Sequence, residues 1–491
     1  MNTGKSIGEN RRLLGAAYIA AVLAVLVLVN VIINAFATRF GWYLYTEEKY
    51  EHTIGPASET VFVDVPDGAE VRVLFCMSED AMEADTVYAL VLNTFRQLAA
   101  RHDFIKIEFK NIYLHPGEVA PYRVRTLANG EKVEYAINEK SVIFVAGDGE
   151  DDFRVESLES FFILDSESLI TGYNGEEIAI SCLSWVLKAE HPVAGFTEAH
   201  GENYGDLLAF YTTLVAAGYD MTLLDLNEDI PAGVGLVVIA NPRWDFDRGA
   251  AGSGIDSELD RLAAFLDAGG SLFVSLDPYA KGNLSGLRGF LAERGLTATQ
   301  DVIRDRVASI TYDGYTLATS IATSSFGTQV FDRISPFTTS SAIVREASAI
   351  LCDTVGSWTA EPILIASGTA ETYRNGALTG TGGYYPVFAV SRAAAANGKT
   401  ANIFLSSGVY LLANDVLNSG TYSNRAVMLA SLEEALDVPT PVGCVILPVG
   451  NDRLEDLTMG TARLYATMLS IVLPLAVAAV GAIVIIRRKI R

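Results

Sequence analysis

What the chain lacks narrows it first. Its four cysteines, Cys76, Cys182, Cys352 and Cys444, are scattered without a C-x-x-C pair, which excludes a zinc ribbon and a dithiol redox motif on spacing alone. No Walker sequence occurs, so the chain carries no nucleotide-hydrolysing loop of that kind. Histidine is scarce, with His52, His102, His115, His191 and His200 the full set. Basic residues are outnumbered, 36 Lys+Arg against 59 Asp+Glu, for a net charge of −23. That acidity argues against nucleic acid as a partner and against lying flat on anionic lipid. No internal repeat is apparent.

Two long uncharged runs are present. Residues 13–36 (LLGAAYIAAVLAVLVLVNVIINAF) hold no charge over 24 positions and as a helix would extend about 36 Å, enough to cross a bilayer. Residues 464–486 (LYATMLSIVLPLAVAAVGAIVII) form the second run. Pro474 interrupts it, which a membrane helix tolerates because neighbouring groups satisfy the freed carbonyl. Lys5, Arg11 and Arg12 precede the first run, and Arg487, Arg488, Lys489 and Arg491 follow the second. The positive-inside rule then puts both termini in the cytoplasm and the acidic middle outside the cytoplasmic membrane, with lipid as a partner through the two spans. Ala35-Phe36-Ala37 has the form of a signal cleavage site, but the run exceeds the usual apolar core of about 7–15 residues, which favours an uncleaved anchor. Trp42, Tyr43 and Tyr45 suit the headgroup zone. Outside the membrane disulfides are chemically open, although Cys76 and Cys182 sit in apolar runs and read as small core residues.

The expected layout is a cytoplasmic N-terminus (1–12), a span (13–36), a juxtamembrane segment (37–67), two α/β domains (68–190 and 191–445), a linker (446–463), a second span (464–486) and a cytoplasmic tail (487–491). In the first domain, 71–76 reads as a buried strand, 84–101 as a helix and 104–112 as an alternating strand. Short strands at 132–135 and 141–146 and a helix at 176–189 follow. The order resembles a thioredoxin-like domain. In the second, strands at 192–196, 220–226, 235–240 (GLVVIA) and 271–276 alternate with helices at 204–217 and 258–268, the latter stopped by Gly269-Gly270. Such alternation implies a parallel sheet with helices on both faces, as in flavodoxin-like and class I glutamine amidotransferase-like folds. The Thr- and Ser-rich stretch 306–346 predicts a β-rich insert, before strands at 362–365, 386–390 and 402–405 and a closing helix at 424–436.

The stretch GFTEAHGENYGD (195–206) places Glu198, His200 and Glu202 where a strand hands over to a helix, at the end of the strand where such folds bind ligands. His200 could serve there as a base or metal ligand. Further ligands are missing locally, and a glycine-flexed polar turn near a helix start explains the same residues. The three therefore stand as ligand- or partner-contact candidates, with no catalytic, metal or cofactor role assigned. On the surface-turn reading, His200→Ala costs little stability. An amidotransferase-like hydrolase needs a nucleophile on a tight strand-to-helix turn with a histidine beside it. GLVVIA instead runs into Asn241-Pro242-Arg243-Trp244-Asp245. Residues 148–152 (DGEDD) lack the glycine and closing Glu of a calcium loop, and 375–384 (NGALTGTGGY) read as a plain loop.

Four places together resemble the GldG-like family, the membrane-anchored auxiliary component of gliding-motility-type ABC transport systems. Tyr45-Thr46-Glu47-Glu48-Lys49-Tyr50 with Thr53-Ile54 is similar to the family's segment after the first span, with Tyr45 and Gly55 departing from its Leu and Ser. Tyr173-Asn174-Gly175-Glu176-Glu177 is similar to the opening of the helix that ends the first domain. Glu198-Ala199-His200-Gly201-Glu202 matches a G-H-G-E turn with Ala for the first Gly, and 267–278 (DAGGSLFVSLDP) matches a helix, double glycine, strand and D-P ending. The resemblance implies a non-enzymatic component beside a separate ABC permease and ATPase, its acidic ectodomain engaging an extracellular or envelope protein. An extracytoplasmic hydrolase and a ligand-binding protein are the alternatives.

Overall fold

The computed structural model describes residues 53–449, apart from 67, 115, 148–151, 166, 189–190, 203, 248–256 and 280–283. Both expected membrane spans, Trp42, Tyr43, Tyr45, the chain beyond 449 and most of the 148–152 acidic turn lie outside the described residues. Among the described residues, no helix is long and apolar enough to cross a membrane.

The architecture is mixed α/β with parallel sheet segments. In its first body, β1 (Val71–Phe75) and β2 (Ile105–Phe109) run parallel, joined by α1 (Thr86–Arg101). Asp85 starts that helix by accepting the backbone N–H groups of Val87 and Tyr88. β1 then pairs antiparallel with β3 (Ser141–Ala146), and β3 with β4 (Phe153–Ser157), giving the order β2-β1-β3-β4. Phe75, Phe95, Phe144 and Phe161 fill the space between sheet and α1, with ring centroids 5.4–5.9 Å apart along the chain of contacts. Burying each ring contributes about 1.5–3 kcal/mol.

One expectation for this body changes. The strand expected at 132–135 is outside its sheet, because Lys132–Glu134 pairs with Val124–Thr126 as a separate hairpin. Leu127 and Val133 of that hairpin pack with the second body instead. β4 forms the edge beside β3; it alternates apolar and polar residues (Phe153, Arg154, Val155, Glu156) but is only five residues long.

The second body is a sheet covered on both faces. The first four strands of its parallel part are β5 (Val193–Thr197), β6 (Asp220–Leu224), β7 (Val234–Ala240) and β8 (Ser271–Ser275), and Thr400–Ser406 joins β8 in parallel as the fifth. Two later antiparallel strands, β11 (Trp358–Ile365) and β14 (Pro386–Ala394), extend the sheet beside β15 (Thr400–Ser406), in the order β6-β5-β7-β8-β15-β14-β11. One face packs Phe196, Val238, Phe273, Phe388 and Phe404 against α3 (Leu208–Ala216), α6 (Ser325–Ile334) and α7 (Asn424–Leu436). The other packs Val237, Leu272, Val274 and Ile403 against α4 (Glu258–Asp267) and α5 (Ser285–Ala292). Burial on both faces is why these strands read as continuous apolar runs. After α4 the chain turns at Gly269, whose φ of +82° suits glycine, and a Cβ there would meet the Lys399 side chain at 2.6 Å.

The insert also differs from expectation. Within 306–346 only short strands occur, around the helix α6, which Ser324 caps by accepting from Gly327 N–H. The four-stranded antiparallel sheet lies to either side of that stretch: β9 (Leu296–Arg304), β10 (Ser348–Cys352), β12 (Glu371–Arg374) and β13 (Ala377–Thr381), in the order β10-β9-β12-β13. The glycine-rich stretch 375–384 is thus a hairpin strand rather than a plain loop.

α2 (Gly175–Val186), which opens with the Tyr173–Glu177 segment, is buried almost all round because it lies between the bodies. Ser181 donates from its hydroxyl to the carbonyls of Val215 and Ala216 at the end of α3. Arg425 Nε of α7 donates its one N–H between the two oxygens of Glu177, at 2.9 and 2.8 Å, and its Nη2 donates to Glu177 as well. From the hairpin, Arg125 donates Nη1 and Nη2 to Asp220 of β6 at 2.8 and 2.6 Å.

Candidate functional site

β5 delivers the acid–His–acid turn to the end of the sheet. Ala199 and Gly201 both take positive φ, +82° and +75°. That conformation costs alanine more than glycine, so the glycine of the resembling motif is the relaxed residue for the place Ala199 occupies. Glu202 closes the turn: one carboxylate oxygen accepts from Thr197 Oγ1 at 2.7 Å, the other from His200 N–H at 2.8 Å. The loop after β7 locks it from above, Arg243 and Trp244 donating their N–H groups to the His200 carbonyl at 2.7 and 3.0 Å.

The three sequence candidates do not stay together. Glu198 is exposed, whereas the side chains of His200 and Glu202 are 7% and 2% exposed. The His200 ring stacks on Phe246 with centroids 3.8 Å apart. Its Nε2 lies 3.0 Å from Glu258 Oε1, and its Nδ1 3.6 Å from Glu202 Oε1. Glu258 is the residue that sequence reasoning missed. It opens α4 behind a Ser257–Asp260 capping box, a signal that marked a helix start but gave no hint of a partner 58 residues upstream. Glu258 also accepts from Asp247 N–H at 2.8 Å, fixing its carboxylate.

Burial works against a charged His200 ring, yet Glu202 and Glu258 outweigh it and raise its pKa above the ordinary value. Burial likewise opposes the Glu202 anion, but hydrogen bonds from His200 and Thr197 lower its pKa. Bonded at Nε2 to Glu258 and stacked on Phe246, with Nδ1 buried without a hydrogen-bond partner among the described residues, the ring is fixed in place and poorly presented as a general base. The position after β7, where a strand-end nucleophile would sit, carries Asn241 at φ +51°. Its amide has no nucleophilic oxygen or sulfur. The thiols lie elsewhere and stay protonated: burial pushes Cys76 up to about 11 and Cys352 to about 12.

Beside this corner, at the ends of β7, β8 and β15, lies a cavity of about 720 Å³. Asp206, Asp277, Glu346 and Asp415 line it, together with Asn241 and the aromatics Tyr279 and Tyr410. Trp244 and Tyr279 are exposed at this end of the sheet. Carboxylates and aromatics together suit contact with a cationic or aromatic group of a partner.

No family model and no curated protein matches the chain. Among solved structures it is similar to the mmIFT52 N-terminal domain, at 15% identity and a TM-score of 0.37, over 50% of this chain and 97% of that one. A ThuA-like protein from Parabacteroides merdae matches at 13% identity and a TM-score of 0.27, over 53% of this chain and 97% of that one. A GMP synthase component from Thermoplasma acidophilum matches at 10% identity and a TM-score of 0.26, over 50% of this chain and 96% of that one. Likeness of this degree assigns the chain to no family.

Proposed function

We propose that the chain is a non-catalytic, membrane-anchored auxiliary component of an ABC transport system. Two transmembrane helices hold it beside a permease and ATPase, both termini are cytoplasmic, and the acidic ectodomain contacts an extracellular or envelope protein. The observation that carries the non-catalytic part is the end of the parallel sheet. There Asn241 stands at the nucleophile corner and His200 is clamped between two carboxylates, while acids and exposed aromatics face outward. Such a surface is built for contact rather than turnover.

The strand orders support finer fold assignments. β2-β1-β3-β4, with one parallel and two antiparallel pairings, fits a thioredoxin-like domain. The parallel run β6-β5-β7-β8-β15 has the 2-1-3-4-5 order of flavodoxin-like and class I glutamine amidotransferase-like sheets. Affinity purification of the tagged full chain from native membranes tests the assignment. Recovery with an ABC permease and ATPase is expected; recovery alone under mild solubilisation counts against it.

A further inference from the structure

A second cavity, of about 560 Å³, lies where the two bodies meet, between β4, α2, α3 and β6. Arg154 of β4 lines it and is only 6% exposed. Among the described residues its guanidinium makes a hydrogen bond from Nε to Glu156 at 3.1 Å, and its Nη1 is buried without a partner. Asn174 lines the same cavity, is equally buried, and its Oδ1 has no partner either. A buried donor and a buried acceptor, both unpaired and both on residues that line one cavity, are complementary to a ligand that supplies the reverse pair.

Several of the other polar groups on its walls are already engaged. Arg125 is spent on Asp220 and on the Tyr135 hydroxyl, Glu156 accepts from Ser160 with its second oxygen, and Ser181 donates to main-chain carbonyls. The guanidinium fork matches a carboxylate in plane. Glu156 and Asp220 at the same walls repel a dianion, so one negative charge fits better than two. Leu127, Val133, Phe162 and Ile178 supply apolar wall.

We propose that this cavity binds a small apolar monocarboxylate bearing an N–H donor, the chemistry shared by an N-acylated amino acid and the carboxyl-terminal residue of a peptide. The carboxylate meets Arg154, the N–H meets Asn174 Oδ1, and the apolar side chain lies against the wall.

Calorimetric titration of the purified full chain in detergent with N-acetyl-leucine, its carboxamide, inorganic phosphate and a tetrapeptide ending in leucine tests this. The acid is expected to bind at least about tenfold tighter than the carboxamide. Phosphate is expected to give no heat, and Arg154→Met to abolish binding of the acid while circular dichroism stays unchanged. Tighter binding of the peptide than of N-acetyl-leucine assigns the source to a chain terminus, and the reverse to a free metabolite. Equal affinity for acid and carboxamide, binding of phosphate as strong as that of the acid, or no binding of acid or peptide up to about 10 mM overturns the proposal. The comparison of acid with carboxamide on the unmutated chain decides even if Arg154→Met fails to fold.

Discussion

His200 is held by groups from three separate stretches: Glu202 within its own turn, Phe246 after β7 and Glu258 at the start of α4. The sequence displayed the first and concealed the other two, which is why the residue reads as a surface turn and is in fact buried. Its removal therefore does not follow the rule for surface positions. His200→Ala leaves two buried carboxylates without their cation, and we expect it to cost about 3–5 kcal/mol in chemical unfolding. The pH dependence has a definite sign. Because the folded pKa of His200 is raised above 6.5, its contribution is complete below that pH and is lost as pH rises through the folded value. Glu202, lowered from 4.5, contributes above that pH and fails as pH falls through its depressed value. The clamp is thus strongest between about pH 4.5 and 6.5. Unfolding midpoints of the native protein should decline on the alkaline side of this window, and His200→Ala should flatten that decline; parallel profiles for the two proteins would show that the ring does not titrate as argued.

Elements were legible where their signals are local. α7 spans 424–436 as expected, and α4 with its double-glycine stop needs only neighbouring residues to specify it. α5 escaped notice because its start signal is remote. Its N-cap position is Leu284, which offers no side-chain acceptor. Asp245 reaches across instead, accepting the N–H groups of Gly286 and Leu287 at 2.6 and 3.0 Å. A cap supplied in trans leaves no mark in a window of sequence. Asp245→Ala should therefore cost about 1–2 kcal/mol, and should speed amide exchange in α5 more than in α4. Equal exchange in both helices would remove Asp245 from this role. The β insert was misplaced for a related reason. β9 and β10 pair over a long sequence separation around α6, and Thr/Ser composition reports β preference but not which segments find each other.

At the scale of the molecule, the two bodies are pinned by two buried ion pairs, Glu177–Arg425 and Arg125–Asp220. The resemblance marked Glu177 as part of a helix opening, but neither its partner nor its burial was readable, since pairing belongs to the assembled chain. Glu177→Gln, which leaves Arg425 buried without a counter-charge, should cost about 3–5 kcal/mol, and adding Arg425→Met should recover most of that loss. Urea unfolding of the native chain, the two single variants and the double variant measures the coupling; additive losses would mean that the pair does not act as a unit.

α2 presents the ribosome with an ordering problem. Glu177 and Arg425 are 248 residues apart, so at about 5–20 residues per second the carboxylate waits roughly 12 to 50 seconds for its cation to be made. α3, on which Ser181 docks, follows within 35 residues and can cover part of the helix early, but Glu177 keeps an uncompensated charge at this junction until α7 emerges. The first body therefore matures late, and a truncated product ending before α7 should be a client of chaperones and proteases rather than a free-standing domain.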